Sequence, residues 1–367
     1  MSSELSSVLV IGGCGFLGHH IVSQLLESPS AQVTVLDLRT TRNRFPSVSY
    51  YDGDITSSTA VQSVLQEVKP RVIIHTASPV VASFVGSTTL YHKVNVEGTR
   101  NLLEWAGKVG CVKAFIYTSS ASVVHDSVSD LVNADETFPV LRSPQQREIY
   151  SHTKGIADDL VLAANRKYGD MLTVAIRPAG IFGEGDVQML PNMLNVYYTG
   201  KTKFQLGDNK NWFDFTYVGN VAHAHILAAK ELLKTHTLPV QPPDHERVDG
   251  EAFFVTNDEP FHFWDFARTV WAAAGDKTNL KDVWVVPKNA GLMIATLMEW
   301  IFWLLFWGAK EPSFTRQKVK FSCMTRTYRI DKAKSRLGYK PLWSMNEGIK
   351  RGVVWFEKEK GKEKKTQ

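Results

Sequence analysis

Cysteine is scarce. Only Cys14, Cys111 and Cys323 occur in 367 residues, and none has metal-ligand spacing. This excludes a disulfide-stapled scaffold and fits free thiols in a reducing compartment. No metal site is expected either, because His223 and His225 stand two apart and fall on different helix faces. Charge of one sign is limited as well. The net charge is +5, and much of the basic excess sits in the ending EKEKGKEKKTQ. A nucleic-acid groove is therefore not expected, whereas contact with an anionic membrane surface is compatible. No internal repeat is visible, and low complexity is confined to that ending. The opening MSSELSS lacks the basic and small-residue signals of a secretory leader. Long hydrophobic runs are missing with one exception, AGLMIATLMEWIFWLLFWGA, which spans Ala290 to Ala309 and carries a single charge.

What remains is a globular composition, 44% hydrophobic and 22% charged, with enough chain for two domains. Short apolar runs alternate with helical patterns. VLVIG (Val8–Gly12), VTVLD (Val33–Asp37), RVIIHT (Arg71–Thr76), AFIYTS (Ala114–Ser119) and LTVAIRP (Leu172–Pro178) read as buried parallel strands, with AFFVTN (Ala252–Asn257) as a later one. Helical stretches lie near residues 16–27, 59–68, 88–109 and 150–168. This alternation predicts an α/β fold with a Rossmann-type doubly wound parallel sheet. The expected division is a nucleotide-binding domain over 1–180 and 212–257, a smaller C-terminal substrate-binding lobe over 181–211 and 258–355, and a basic flexible tail over 356–367.

The first strand runs into GGCGFLG. Gly12, Gly15 and Gly18 allow a tight turn and close backbone approach to a pyrophosphate at a helix N-terminus. The second strand ends at Asp37, nineteen residues after Gly18, where a carboxylate can bond the ribose hydroxyls of NAD and repel a 2′-phosphate. Arg39, Arg42 and Arg44 follow, so NADP stays open. YSHTK places Tyr150 and Lys154 at i, i+4, on one helix face. A neighbouring ammonium favours a phenolate, which allows Tyr150 to take a hydroxyl proton. In YTSSAS, at the C-terminal end of a strand, Ser119 or Ser120 can donate to a forming carbonyl oxygen. The aromatic-rich FHFWDFARTVW over 261–271 suits core packing and a pocket wall equally.

Together these features resemble the extended short-chain dehydrogenase/reductase family, with further matches in GDI (Gly53–Ile55), HTASP (His75–Pro79), VNVEGTRNLLEWA (Val94–Ala106), RPAGIFGEGD (Arg177–Asp186) and LGYKPLWSMNEGI (Leu337–Ile349). TSSASVV, DFTYVGNVAHAHILAA and FFVTNDEPFHFWDF are similar to its 3β-hydroxysteroid dehydrogenase branch. The resemblance implies that Ser120 is the catalytic serine beside Tyr150 and Lys154. It places Asp54 and Ile55 toward the adenine, Ala77, Ser78 and Asn95 along the cofactor cleft, and Arg177 and Pro178 near the nicotinamide. Phe16, Leu17 and Thr118 complete the expected cofactor set. The activity implied is NAD-dependent oxidation, with NADP possible, of the 3β-hydroxyl of a 4α-carboxysterol, with loss of the carboxylate as carbon dioxide. A steroid dehydrogenase/isomerase, a dihydroflavonol-type reductase, a sugar-nucleotide epimerase, a dinucleotide sensor and a scaffold of sterol enzymes are the alternatives.

The run Ala290–Ala309 is long enough to span a bilayer. Three features favour docking on the surface instead. The family-like closing segment Leu337–Ile349 follows it, Glu299 sits mid-run, and Trp300, Trp303 and Trp307 share one face. The expected location is the cytosolic face of the endoplasmic reticulum membrane. The ending KKTQ matches a dilysine retrieval pattern. Expected partners are a sterol substrate, the membrane surface, a second copy of the chain and other enzymes of C4 demethylation, with no nucleic acid.

Overall fold

The computed structural model of the protein describes residues 5–79, 88–307, 310 and 312–366. Residues 308–309, at the end of the apolar run, and Gln367 of the KKTQ ending lie outside them.

Seven strands form one parallel sheet: β1 (Ser7–Ile11), β2 (Gln32–Asp37), β3 (Ser49–Asp52), β4 (Val72–His75), β5 (Ala114–Thr118), β6 (Leu172–Pro178) and β7 (Glu251–Val255). Their order is β7-β6-β5-β4-β1-β2-β3. The order reverses between β1 and β4, and ligands of doubly wound sheets bind beyond the carboxyl ends at that point. Central strands are sealed on both faces, which is why they read as unbroken apolar runs. Alternate residues of β1 feed two cores: Val8 and Val10 face one, Leu9 and Ile11 the other. Strand β3 had no apolar signature, because SYYD is an edge strand exposed at both ends.

Helix α1 (Phe16–Leu25) follows the glycine loop, and α2 (Ser58–Val68) is capped by the Ser57 hydroxyl. The single helix expected over 88–109 is three pieces: Thr88–Tyr91, a π-helical stretch His92–Gly98, and α3 (Thr99–Val109). The wider π turn carries Asn95 into the interior, where π-bulges often serve function. Helix α4 (Ile149–Ala163) carries Tyr150 and Lys154.

The lobe is built on a small mixed sheet. Arg326–Tyr328 lies between Trp212–Phe213 and Leu131–Ala134, and Phe261–His262 forms an edge. Further helices are α5 (Met189–Tyr198), α6 (Val218–Thr237), α7 (Phe263–Ala273), α8 (Lys288–Phe306), α9 (Arg316–Cys323), a short one at Asp331–Leu337, and α10 (Met345–Thr366), with α6 flanking the main sheet. The division is less clean than the sequence boundaries: Leu131–Ala134 joins the lobe sheet, while Met345, Ile349 and Val353 enter the main core. The ending expected as a flexible tail continues α10 as far as Thr366. The aromatic run over 261–271 packs as core, with Phe266 stacked on Phe215 at 3.8 Å and Trp271 buried.

Helix α8 is the apolar run. Only Gly291 and Ala295 are buried. Met293, Leu297, Trp300, Trp303, Leu304 and Trp307 all stand exposed. The mid-run acid Glu299 pairs with Arg316 of α9, Nε to Oε2 at 2.5 Å.

Candidate active site

The glycine loop crosses the switch point. Gly12 has φ +80°, and a Cβ there would lie 2.9 Å from the Ala77 backbone. A Cβ on Gly18 would lie 2.2 Å from the Gly12 carbonyl oxygen. Gly15 precedes α1 with no side-chain cap, so the first-turn amides by Phe16 and Leu17 remain available to an anion. Asp37 closes the loop from β2: its Oδ2 accepts the Cys14 N–H at 2.9 Å. Arg42 and Arg44 bring positive charge to the same corner. These cradling glycines, the uncapped helix end and the strand-end carboxylate fit a dinucleotide.

Further along the cleft, Asp54 is exposed and accepts the Thr56 N–H at 2.9 Å, while Ile55 packs against Gly98. Ser78 donates to Asn95 Oδ1 at 2.9 Å, and Asn95 Nδ2 donates to Thr153 at 3.0 Å. Asn95 thus ties the loop after β4 to α4, next to Lys154. His75 Nε2 lies 3.0 Å from the Thr99 hydroxyl, which itself donates to Asn95 O. Burial depresses His75 to about 3, so this imidazole stays neutral and structural.

The three residues expected to be catalytic, Ser120, Tyr150 and Lys154, lie near the end of β5. Ser120 faces the Tyr150 hydroxyl and favours its ionised form. Its own Oγ lies 2.8 Å from Ser122 Oγ, which accepts from Ser151 of α4 at 2.8 Å. Ser119 is buried with an unpartnered hydroxyl. The two serines left open by the sequence are thereby separated, and Ser120 is the one at the tyrosine. Burial pushes Tyr150 up to about 12, while Ser120 and the Arg326 charge pull the other way. Tyr91 packs edge-on to the Tyr150 ring at 6.0 Å.

Lys154 turns toward the β5 backbone. Its Nζ donates to Thr118 O at 2.6 Å and to the Tyr117 hydroxyl at 3.3 Å. Burial lowers the amine to about 7, with Asp158 opposing. In this structure the groups that favour the Tyr150 phenolate are therefore Ser120 and Arg326. Thr118 donates its hydroxyl to His225 Nε2 at 2.7 Å, because His225 Nδ1 is spent on Val221 O. Arg177 is committed elsewhere: it forks onto Asp158 at 3.2 and 2.6 Å, both residues buried. Pro178 ends β6 inside the core.

Sequence reasoning missed Ser122, Thr153, Tyr91 and Arg326. Ser122 was legible as the next hydroxyl of YTSSAS. Arg326 carried no local signal, since it reaches the site on a lobe strand.

The profile of the 3-beta hydroxysteroid dehydrogenase/isomerase family matches residues 9–287. The chain belongs to that family. It is 40% identical over 364 residues to a sterol-4-alpha-carboxylate 3-dehydrogenase, decarboxylating, of Saccharomyces cerevisiae, covering 97% of this chain and 99% of the relative. A human protein of the same description is 35% identical over 355 residues, covering 95% and 87%. Among solved structures, a dTDP-glucose 4,6-dehydratase of Bacillus anthracis in complex with NAD superposes with TM-score 0.68 at 20% identity, covering 96% and 97%. That similarity supports the Rossmann-type architecture of the family member.

Proposed function

We propose that this protein oxidises the 3β-hydroxyl of a 4α-carboxysterol to the ketone, with loss of the C4 carboxylate as carbon dioxide, in sterol biosynthesis. The observation that carries this reading is the placement of Ser120 by Tyr150 at the end of β5, beside buried Lys154, in a chain that matches a decarboxylating sterol dehydrogenase end to end. When bound, NAD(P) supplies the hydride acceptor. Tyr150 takes the hydroxyl proton, a step to which one positioned base contributes typically ~10²–10⁴-fold. Ser120 donates to the oxygen as it becomes a carbonyl, and Lys154 holds the ribose end of the cleft. The product is a β-keto acid, which loses carbon dioxide through its enol without a further protein group. Asp37 favours NAD over NADP.

Helix α8 docks on the cytosolic face of the endoplasmic reticulum membrane and does not span it. Its exposed apolar side supports contact with lipid, and the return of α10 to the main core supports docking. The KKTQ ending, a second copy of the chain and other C4-demethylation enzymes belong to the same reading. The test is incubation of pure protein with NAD and a 4α-carboxysterol labelled at the carboxyl carbon. Labelled carbon dioxide and a 3-ketosterol are expected; absence of both overturns the reading.

A further inference from the structure

The proposed substrate carries a negative charge on the carbon next to the one oxidised. A buried carboxylate needs a cation or several donors, and a guanidinium fork suits it best. That cation must sit beside the Ser120–Tyr150 pair, because the carboxylate and the reacting hydroxyl are substituents of neighbouring carbons.

Arg326 occupies such a place. It is half-buried on the lobe strand Arg326–Tyr328. Its Nε donates to the Tyr328 hydroxyl at 2.8 Å, and that hydroxyl donates to Ala121 O at 3.3 Å. Two hydrogen bonds thus tie the guanidinium to the turn that carries Ser120. The guanidinium carbon is 5.8 Å from the Phe213 ring, which helps fix its plane. Among the described residues no carboxylate pairs with Arg326, and only its Nε is used by the protein. The nearby acid Glu148 is engaged by Gln317 at 3.1 Å and, weakly, by Ser151 at 3.5 Å. His125 and Asp126 are the other titratable groups in the same corner. His125 bonds Ser129 O, and Asp126 bonds Ser129. Two terminal nitrogens with no acceptor among the described residues, on a guanidinium tied to the turn that carries Ser120, form a preset seat for a planar anion.

We propose that Arg326 binds the 4α-carboxylate of the substrate and so sets both the preference for acidic sterols and the placement of the 3β-hydroxyl at Ser120 and Tyr150. This rests on the substrate reading above. It assigns the lobe a share in recognition: one lobe strand supplies the cation, and the main sheet supplies the base.

The test is equilibrium binding in the Tyr150→Phe protein loaded with NAD, where chemistry is blocked. A 4α-carboxysterol is compared with the matching 3β-hydroxysterol that lacks the carboxyl. The parent should prefer the acid by roughly 10- to 100-fold, the range of a charge-assisted pair. Adding Arg326→Met should erase the preference by weakening the acid alone, and Arg326→Lys should restore part of it. In protein with Tyr150 intact, the KM for the acid should rise more than kcat falls. Unchanged NAD affinity and melting temperature report that the variants are folded; if Arg326→Met does not fold, Arg326→Gln carries the comparison. A preference that survives loss of the guanidinium overturns the proposal. So does equal weakening of both sterols, which would make Arg326 a structural prop. Equal binding of both by the parent also overturns it while leaving the dehydrogenase reading intact. Failure of the parent to bind either sterol is a different result, and it removes the substrate reading and this proposal together.

Discussion

Replacing Lys154 with methionine should abolish turnover and change how the ligand-free protein responds to pH. Lys154 is 2% exposed, and burial lowers its amine from 10.5 to about 7. In the unfolded chain the amine regains the ordinary value. Between these two values the unfolded state holds more protons than the folded one. Stability from this group therefore grows as pH rises through the window and is lost as pH falls toward about 7. Each pH unit inside the window is worth ~1.4 kcal/mol. From pH 6 to pH 9 the wild type should thus gain ~2–3 kcal/mol over a variant with nothing to titrate there. Methionine also loses the bond to Thr118 O, at a cost of ~1–2 kcal/mol that does not depend on pH. The absolute offset between the proteins mixes both effects, but the slope of their difference comes from Lys154 alone, since every other titrating group is common to both. Urea unfolding of the two proteins across that pH range measures it. Parallel stability curves would show that the amine is not depressed in the folded protein, and the electrostatic account of the site would fall.

Other expectations follow from single contacts. Ser120→Ala should lower kcat by ~10²-fold or more, as loss of an oxyanion donor does; because Ser120 favours the phenolate, the ascending limb of the kcat/KM–pH profile, which follows deprotonation of Tyr150, should also move to higher pH. Asp37→Ala should weaken NAD and improve NADP, read as dissociation constants for both, with Arg39 or Arg42 taking the 2′-phosphate; better use of NADP by the wild type would contradict the role given to Asp37. Arg177→Met should cost ~3–5 kcal/mol in unfolding free energy by leaving Asp158 buried and unpaired, whereas a loss confined to NAD affinity would return Arg177 to the cofactor. Trp300→Ser with Trp303→Ser should shift the protein from membrane to soluble fractions, and a C-terminal tag protected from protease in sealed microsomes would show that α8 spans.

The legible parts of the site were those fixed by local spacing. Gly12 and Gly18 announce themselves because a Cβ at either would collide with neighbouring backbone, and Gly15 because the same turn leaves little room beside the Gly12 carbonyl. Asp37 follows from the length of one strand–helix–strand unit. Tyr150 and Lys154 were found by their i, i+4 spacing, yet that spacing misled about what Lys154 touches. A shared face does not fix the reach of a four-carbon side chain, and Nζ turns back to the β5 backbone. The family resemblance put Arg177 near the nicotinamide, but its partner Asp158 lies one turn beyond Lys154 on another element. Strand β3 and the π turn at His92–Gly98 left no periodic trace. One is an edge without an apolar face, and the other breaks the helical period that sequence patterns rely on. Arg326 was out of reach for a related reason: only the folded lobe brings it to the tyrosine.

From sequence, Glu299 counted against a bilayer crossing, since an acid at mid-helix costs ~2.5–3.5 kcal/mol on insertion scales. In the structure Glu299 faces Arg316 on the protein side of α8, so its charge is already matched and that cost shrinks. The exposed side of α8 is apolar along its length, from Met293 to Trp307, which suits lipid in either geometry. What separates the two geometries is connectivity. The chain after α8 forms α9, supplies the strand that carries Arg326, and then sends Met345, Ile349 and Val353 of α10 into the core that Val8 and Val10 began. A crossing helix would require that single core to be assembled from both sides of a bilayer. A helix lying in the interface requires only that one face of the lobe be wetted by lipid. On that arrangement the membrane-facing helix and the strand bearing Arg326, the cation proposed to meet the carboxylate, belong to the same lobe. A sterol with one acidic end and one hydrocarbon body would then meet matching surfaces in a single structural unit.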